Sequence, residues 1–188
     1  MTRTAVPTFT TGQIITAAFM NTYLKDNEAE HWSRISSLEN NIIPLQRQDV
    51  AIVGRNSEQS IANESEVVLQ WNFNTHVTEP GMHSTSSNPD KLYAVNDGVH
   101  LITLNGGFVP NGTGQRHLAI RLVGGSTLAF EGQLGLSIEG NFFSLAAMVY
   151  LTAGQYVYAT AWQSSGAALD FRYEVSCYPS FAMHLLKG

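Results

Sequence analysis

GVHLITLNGGFVPNGTGQRHLAIRLVGG, residues 98–125, decides how this chain is read. Its second half alternates. Leu118, Ile120 and Leu122 point one way, and His117, Ala119 and Arg121 point the other. A period of two marks a strand with one buried face. Between the two apolar runs stands Asn111-Gly112-Thr113-Gly114, whose residue types predict a hairpin turn. The stretch is glycine-rich, but it lacks the Gly-Lys-Ser/Thr ending of a phosphate loop and joins two strands instead of opening a helix.

The same period extends outward from residue 50 to the end. VVLQWNF (67–73) sets Val67, Leu69, Trp71 and Phe73 against Val68, Gln70 and Asn72. LDFRYEV (169–175) sets Leu169, Phe171, Tyr173 and Val175 against Asp170, Arg172 and Glu174. Further strands are predicted at 50–54, 91–95, 99–108, 126–132, 142–151, 155–163 and 181–187. Turn residues recur at 96–98, 152–154 and 164–166, and residues 74–90 form a long polar loop. About ten short antiparallel strands of this kind make a sandwich or jelly roll. Tyr156, Tyr158 and Trp162 share one strand face, with Tyr150 on what reads as the adjacent strand. That aromatic group is core, an inter-subunit face or a carbohydrate platform.

Upstream the period is helical. In TGQIITAAFMNTYLKDNEAEHW (11–32), Thr16 is a fair N-cap, and Phe19, Met20, Tyr23 and Leu24 fall on one face. Ile35, Leu38, Ile42 and Leu45 then repeat with the 3-4-3 spacing of a coiled-coil seam. Pro44 predicts an end near residue 43. A helix this short is marginal alone in water, so it must pack on its own β domain or on copies of itself. The expected organisation is therefore mainly β: an arm and helical attachment and trimerisation stem over 1–48, followed by an antiparallel jelly-roll β-sandwich over 49–188.

Composition bounds the function. Apolar residues make up 44%, enough for a real core, while charged residues are only 13%, about half the usual share. Such a chain hides much of its surface in an assembly or covers it with Ser, Thr, Asn and Gln. The net charge of −5 and the absence of a basic block exclude a phosphate-binding footprint, so no nucleic-acid partner is expected. No apolar run is long enough to span a bilayer, so no membrane insertion is expected. The N-terminus has no apolar signal core, which predicts a chain that folds in a cytoplasm. The single Cys177 excludes an internal disulfide and reads as a buried structural thiol.

No catalytic set stands out. The six histidines form neither HExxH nor a pairing with CxxC. His76 and His83 share the polar loop, where solvated side chains are the reading, and no metal or cofactor is expected. His117 lies on an outward strand face, open to solvent or at a subunit contact. A glycan-cleaving depolymerase would need two acids facing one cleft. Asp170 and Glu174 are the only well-placed pair, and a charge ladder with Arg172 explains them better. The sequons at Asn63 and Asn111 are chance matches without a signal sequence.

Two resemblances add to this. GVHLITLNGGFVPNGTGQRHLAIRLVGG and LTAGQYVYATAWQSSGAALDF (151–171), closed by FAMHLL, resemble the central strands, later hairpin and last strand of the C1q/TNF-like trimeric jelly roll, with His100 at the family's usual Tyr and Gln155 at its usual Asp. VPTFTTGQIITAAFMNTYLKDN (6–27) resembles a segment common in bacteriophage virion proteins, through Phe9, Gly12, Ile15, Thr16, Ala17, Met20, Asn21, Leu24, Asp26 and Asn27. Together they imply a homotrimeric tail-fibre or spike protein of the virion, or a capsid decoration or head fibre of the same layout, with other virion proteins as partners. Phe19, Met20, Tyr23, Leu24, Ile35, Leu38 and Ile42 would attach and trimerise. Loops carrying His76, His83, Asn111 and Ser165 would meet a host-surface glycan or protein.

Overall fold

The structure, a computed structural model, describes residues 16–46, 49–174 and 178–187. Arm residues 1–15, and with them Phe9, Gly12 and Ile15, lie outside it, as do Val175 and Cys177. The chain divides into two compact units, Met1–Arg47 and Gln48–Gly188.

The described residues of the first unit form the helix α1 (Ala17–Gln46), entered directly after Thr16. It runs past Pro44, where the sequence predicted an end near 43. Proline there removes one N–H, the donor to the carbonyl of Asn40, and only the last turn feels the loss. Among the described residues no helix is long and apolar enough to cross a membrane.

Among the described residues the second unit is an antiparallel sandwich of twelve strands: β1 (Val50–Gly54), β2 (Gln59–Ile61), β3 (Val67–Val68), β4 (Phe73–Val77), β5 (Lys91–Tyr93), β6 (Gly98–Phe108), β7 (Gln115–Leu122), β8 (Thr127–Leu134), β9 (Asn141–Leu151), β10 (Tyr156–Gln163), β11 (Leu169–Phe171) and β12 (Ser180–Lys187). In one sheet β4, β1, β12, β6 and β9 lie side by side, and β11 with β2 extends from the end of β6 at Phe108. In the other, β10 pairs with β7, which pairs with edge strand β8, while β3 and β5 also pair with β10.

Most of the predicted strands are present, but their connections differ from simple hairpins. The segment 109–114 leaves β6 in one sheet and enters β7 in the other, so it is a crossover and not the hairpin its residues suggested. Turn chemistry specifies a reversal; it carries no information on which sheet the next strand joins. Likewise Tyr150 stands on β9 and Tyr156 on β10, in different sheets, so they are not on adjacent strands. The predicted strand 67–73 splits for the same reason. Val67–Val68 belongs to the second sheet and Phe73 to the first, and between them the chain crosses the sandwich with Leu69 and Trp71 fully buried. The polar loop after it starts later than expected, because β4 runs on to Val77.

The core lies between the sheets. Trp71 stacks on Phe181 with ring centroids 5.5 Å apart, and Phe108 meets Phe171 edge-on at 5.8 Å. A Cβ at Gly106 would run into the Phe171 ring, so glycine there makes room for the aromatic cluster. Two arginines are buried with it and answered by carbonyl oxygens. Arg116 donates to the carbonyls of Asn111, Thr113 and Gln115 at 2.8–3.0 Å. Arg55 donates to the Ser57 and Glu58 carbonyls and to Gln59 Oε1, which also accepts from the Gln70 amide. Each fastens a crossover segment to the sandwich.

His100 is also fully buried, with Nδ1 3.0 Å from the Gly98 carbonyl and Nε2 without a hydrogen-bond partner among the described residues. Burial pushes its pKa below the ordinary 6.5; the Gly98 carbonyl and Asp49 oppose this and His184 adds to it. Above pH 6.5 the ring is neutral in both folded and unfolded chains, and below it only the unfolded chain takes up the proton readily. Stability falls as pH drops below that value, and His100→Gln flattens this limb in denaturant titrations across the range. Separately, Gly106→Ala lowers unfolding free energy by about 1–3 kcal/mol in urea titrations. In a Phe171→Leu background, which withdraws the ring, the same substitution has a much smaller effect.

Candidate functional site

Three surfaces of the chain offer contacts. The first is α1, where Leu24, Trp32, Ile35 and Leu38 are 57%, 60%, 42% and 60% exposed. Phe19, Met20, Tyr23 and Ile42 belong to the same helix, at positions whose side chains lie outside the described residues.

The second surface is the set of loops. His76 is exposed on β4, opposite Ile52. His83 is buried, with Nδ1 2.6 Å from Asn74 Oδ1 and Nε2 3.3 Å from the Pro89 carbonyl, so it braces the loop from inside. Asn111 is half-buried; its Oδ1 accepts from the Thr113 amide at 2.9 Å and its carbonyl holds Arg116. Ser165 is half-buried as well, donating Oγ to the Ala167 carbonyl. Glu174 is ion-paired with Arg172, whose guanidinium also holds the Glu139 carbonyl. Among the described residues no group of three His, Cys, Asp or Glu stands close enough to hold a metal ion.

The third surface is the outer face of the β10–β7–β8 sheet. Here strand register makes a hollow. Ala119 on β7 sits opposite Thr160 on β10 and opposite Phe130 on β8. Both Ala119 and Thr160 point outward yet are covered, because larger side chains rise around these two small ones. On one side His117 stacks on its cross-strand partner Trp162, with centroids 4.6 Å apart and planes 19° apart, and meets Phe130 edge-on at 5.0 Å. Gly132 lies opposite His117, and a Cβ there would come within 2.9 Å of the ring, so glycine lets the imidazole lie across β8.

The other wall is ionic. Arg121 forms an ion pair with Glu66, which arrives from the turn before β3. Thr160 Oγ1 donates to the same carboxylate oxygen, Glu66 Oε1, at 2.7 Å. Burial works against ionising Glu66, but the Thr160 hydroxyl and the Arg121 guanidinium outweigh it and hold the carboxyl below its ordinary value. His117 is pushed below its ordinary value by burial, so its ring is neutral at neutral pH. The cleft is open to solvent and has a volume of about 200 Å³. It contains one carboxylate, already tied to a guanidinium, and the outward acids Asp170 and Glu174 are not part of it.

Alternation placed His117 and Arg121 on an outward face and left Trp162 open between core, inter-subunit face and carbohydrate platform. It did not bring out Glu66, Phe130 or Thr160, whose roles depend on cross-strand register and on a turn that returns to the sheet.

No protein-family model and no curated protein sequence matches the chain. Solved structures do. The structure of Eiger TNF from S. frugiperda aligns with a TM-score of 0.55 at 13% identity, over 75% of this chain and 94% of that one. Murine APRIL at pH 5.0 aligns with a TM-score of 0.56 at 12% identity, over 74% of this chain and all of that one. The likeness shows the fold: a mainly antiparallel, TNF-like jelly-roll sandwich.

Replacing Arg121 with Gln removes the main charge beside Glu66. The Glu66 carboxyl then titrates at higher pH than in the unaltered chain, as followed by carboxyl-carbon NMR, while the fold is retained at this partly exposed position.

Proposed function

We propose that this chain is a non-enzymatic structural and binding protein of a bacteriophage particle. It is a homotrimer of tail-fibre or spike type that docks through its N-terminal helix and projects the jelly roll toward the host surface. The observation that carries this reading is the 30-residue helix with Leu24, Trp32, Ile35 and Leu38 left exposed. Such a stripe gains its stability from a partner. Each side chain of this kind contributes roughly 1.5–3 kcal/mol when buried. A few per chain, repeated in three chains around one axis, offset the cost of association.

Three further observations support it. The β domain also leaves apolar groups uncovered along the β8 and β9 edges, among them Leu134, Met148 and Tyr150, which suits side-by-side packing of copies. The TNF-like jelly roll resembles a family of trimeric heads. Residues 6–27 resemble a segment common in virion proteins, which makes the stem the docking element and other virion proteins its partners. In this reading the protein is made in the bacterial cytoplasm and resides in the virion, and the exposed loops and outer sheet face meet a host-surface glycan or protein.

Light scattering on the full chain tests the assembly. A mass three times the 20.6 kDa of one chain is expected, and paired Ile35→Glu and Leu38→Glu substitutions shift it toward one chain without unfolding the β domain. A 20.6 kDa particle for the unaltered chain at every concentration overturns the reading.

A further inference from the structure

We infer that the hollow on the outer face of the β10–β7–β8 sheet is a subsite for a single neutral pyranose ring. The inference rests on the reading of the β domain as a projecting binding head and gives that head a specific ligand class, held on a sheet face and not at the loop tips.

Size, polarity and charge each narrow the occupant. At about 200 Å³ the cleft is smaller than the roughly 300–1,000 Å³ typical of drug-sized ligands, so it takes one ring and not an extended molecule. Its wall is aromatic on one side, formed by Trp162, His117 and Phe130, an apolar surface against which the C–H groups of a sugar pack. On the opposite side, hydrogen-bonding groups are held in fixed geometry. Arg121 and Thr160 both converge on Glu66 Oε1, which orients the carboxylate and leaves Oε2 to accept from hydroxyl groups. The ring nitrogens of His117 have no hydrogen-bond partner among the described residues. In the neutral ring one donates and one accepts, matching a hydroxyl, which does both.

The charges of Glu66 and Arg121 cancel within the cleft. An anion entering it would face the carboxylate and a cation would face the guanidinium, so neither gains what a neutral polyol gains. The small floor is what opens the space. Ala119 and Thr160 are direct cross-strand partners, and a large side chain at either position would close the hollow.

Saturation-transfer NMR on the full chain tests this, with methyl glycosides of glucose, galactose, mannose and N-acetylglucosamine as probes and adenosine as a flat aromatic competitor. At least one glycoside at millimolar concentration receives saturation. Trp162→Ala weakens its binding about tenfold or more, Glu66→Gln weakens it, and Ala119→Leu, which fills the floor, abolishes it. The variant Glu58→Gln, at an exposed position between β1 and β2, leaves binding unchanged. Circular dichroism melting establishes that each variant is folded, and if Ala119→Leu is not, Trp162→Ala and Glu66→Gln decide. The inference is overturned if no glycoside receives saturation, if only adenosine does, or if binding survives in the folded variants. Light scattering of the same samples separates the two readings. A trimer that binds no glycoside overturns this subsite alone, whereas a single chain that binds one leaves the subsite and removes the trimer.

Discussion

Parity along β6 is the constraint on which the first sheet depends. Over its eleven residues, His100, Ile102 and Leu104 face the core while Val99, Leu101 and Thr103 face outward. One edge of β6 is paired throughout with β9, and the other with β12 and then β11. A slip of one residue would expose the whole buried set and drive the outward set into the core, so every neighbour's register is fixed by this strand. Where β6 ends, Gly106 and Gly107 remove side chains so that Phe171 and the Asn141 carbonyl can close over it. The aromatic cluster of Phe108, Phe143 and Phe171 forms at that closure.

A jelly roll whose chain repeatedly crosses between sheets carries many short segments that belong to neither. Their amides and carbonyls need partners. Here the partners include side chains with several donors. Arg116 collects three carbonyls from the 111–115 segment, and Asn141 donates to the Leu134 carbonyl and Gln133 Oε1 while accepting from the Leu136 amide. Gln163 does the same near β2 and β11, donating to the carbonyls of Ile61 and Ala167. These side chains are buried because the backbone they satisfy is buried. Burial pulls both arginines below their ordinary pKa, yet donors on a delocalised cation remain well matched to a ring of carbonyls.

How much of this was legible in the sequence follows from the range of each interaction. Alternation is local, so the strands at 50–54, 99–108, 116–122 and 155–163 could be read directly, with the buried face of 116–122, and so could the change from helical to strand period near residue 50. Sheet membership is not local. Asn111-Gly112-Thr113-Gly114 has the composition of a hairpin, but the amide of Asn111 bonds Leu136 and that of Gly135 bonds Gly114, across the sandwich end. Nothing within ten residues encodes that choice. Pro44 misled for a different reason: one missing donor near a helix end costs a single hydrogen bond and leaves the remaining turns intact. In the cleft, His117 was visible as an outward residue, whereas alternation alone left Trp162 open between core and surface. Their stacking required the register that sets position 117 against 162, and Glu66 required a turn to return from outside the strand pattern.

The distribution of uncovered apolar surface separates two kinds of outward face. Leu38 on α1, Leu134 on β8, Ile138 between β8 and β9, and Met148 on β9 stand exposed. Surfaces of that kind are stabilised by area alone and tolerate any complementary apolar partner, which is what self-association needs. The outer face of the second sheet is built differently. Its rings are stacked against each other, its carboxylate is oriented by two donors, and its small floor residues are held opposite one another by register. Fixing Glu66 and Arg121 in advance leaves little side-chain entropy to be lost when something enters. An arrangement that sacrifices adaptability for fixed geometry serves discrimination better than bulk adhesion. The division therefore separates bulk apolar surface, on the helix and around β8 and β9, from a preorganised hollow on the outer face of the second sheet.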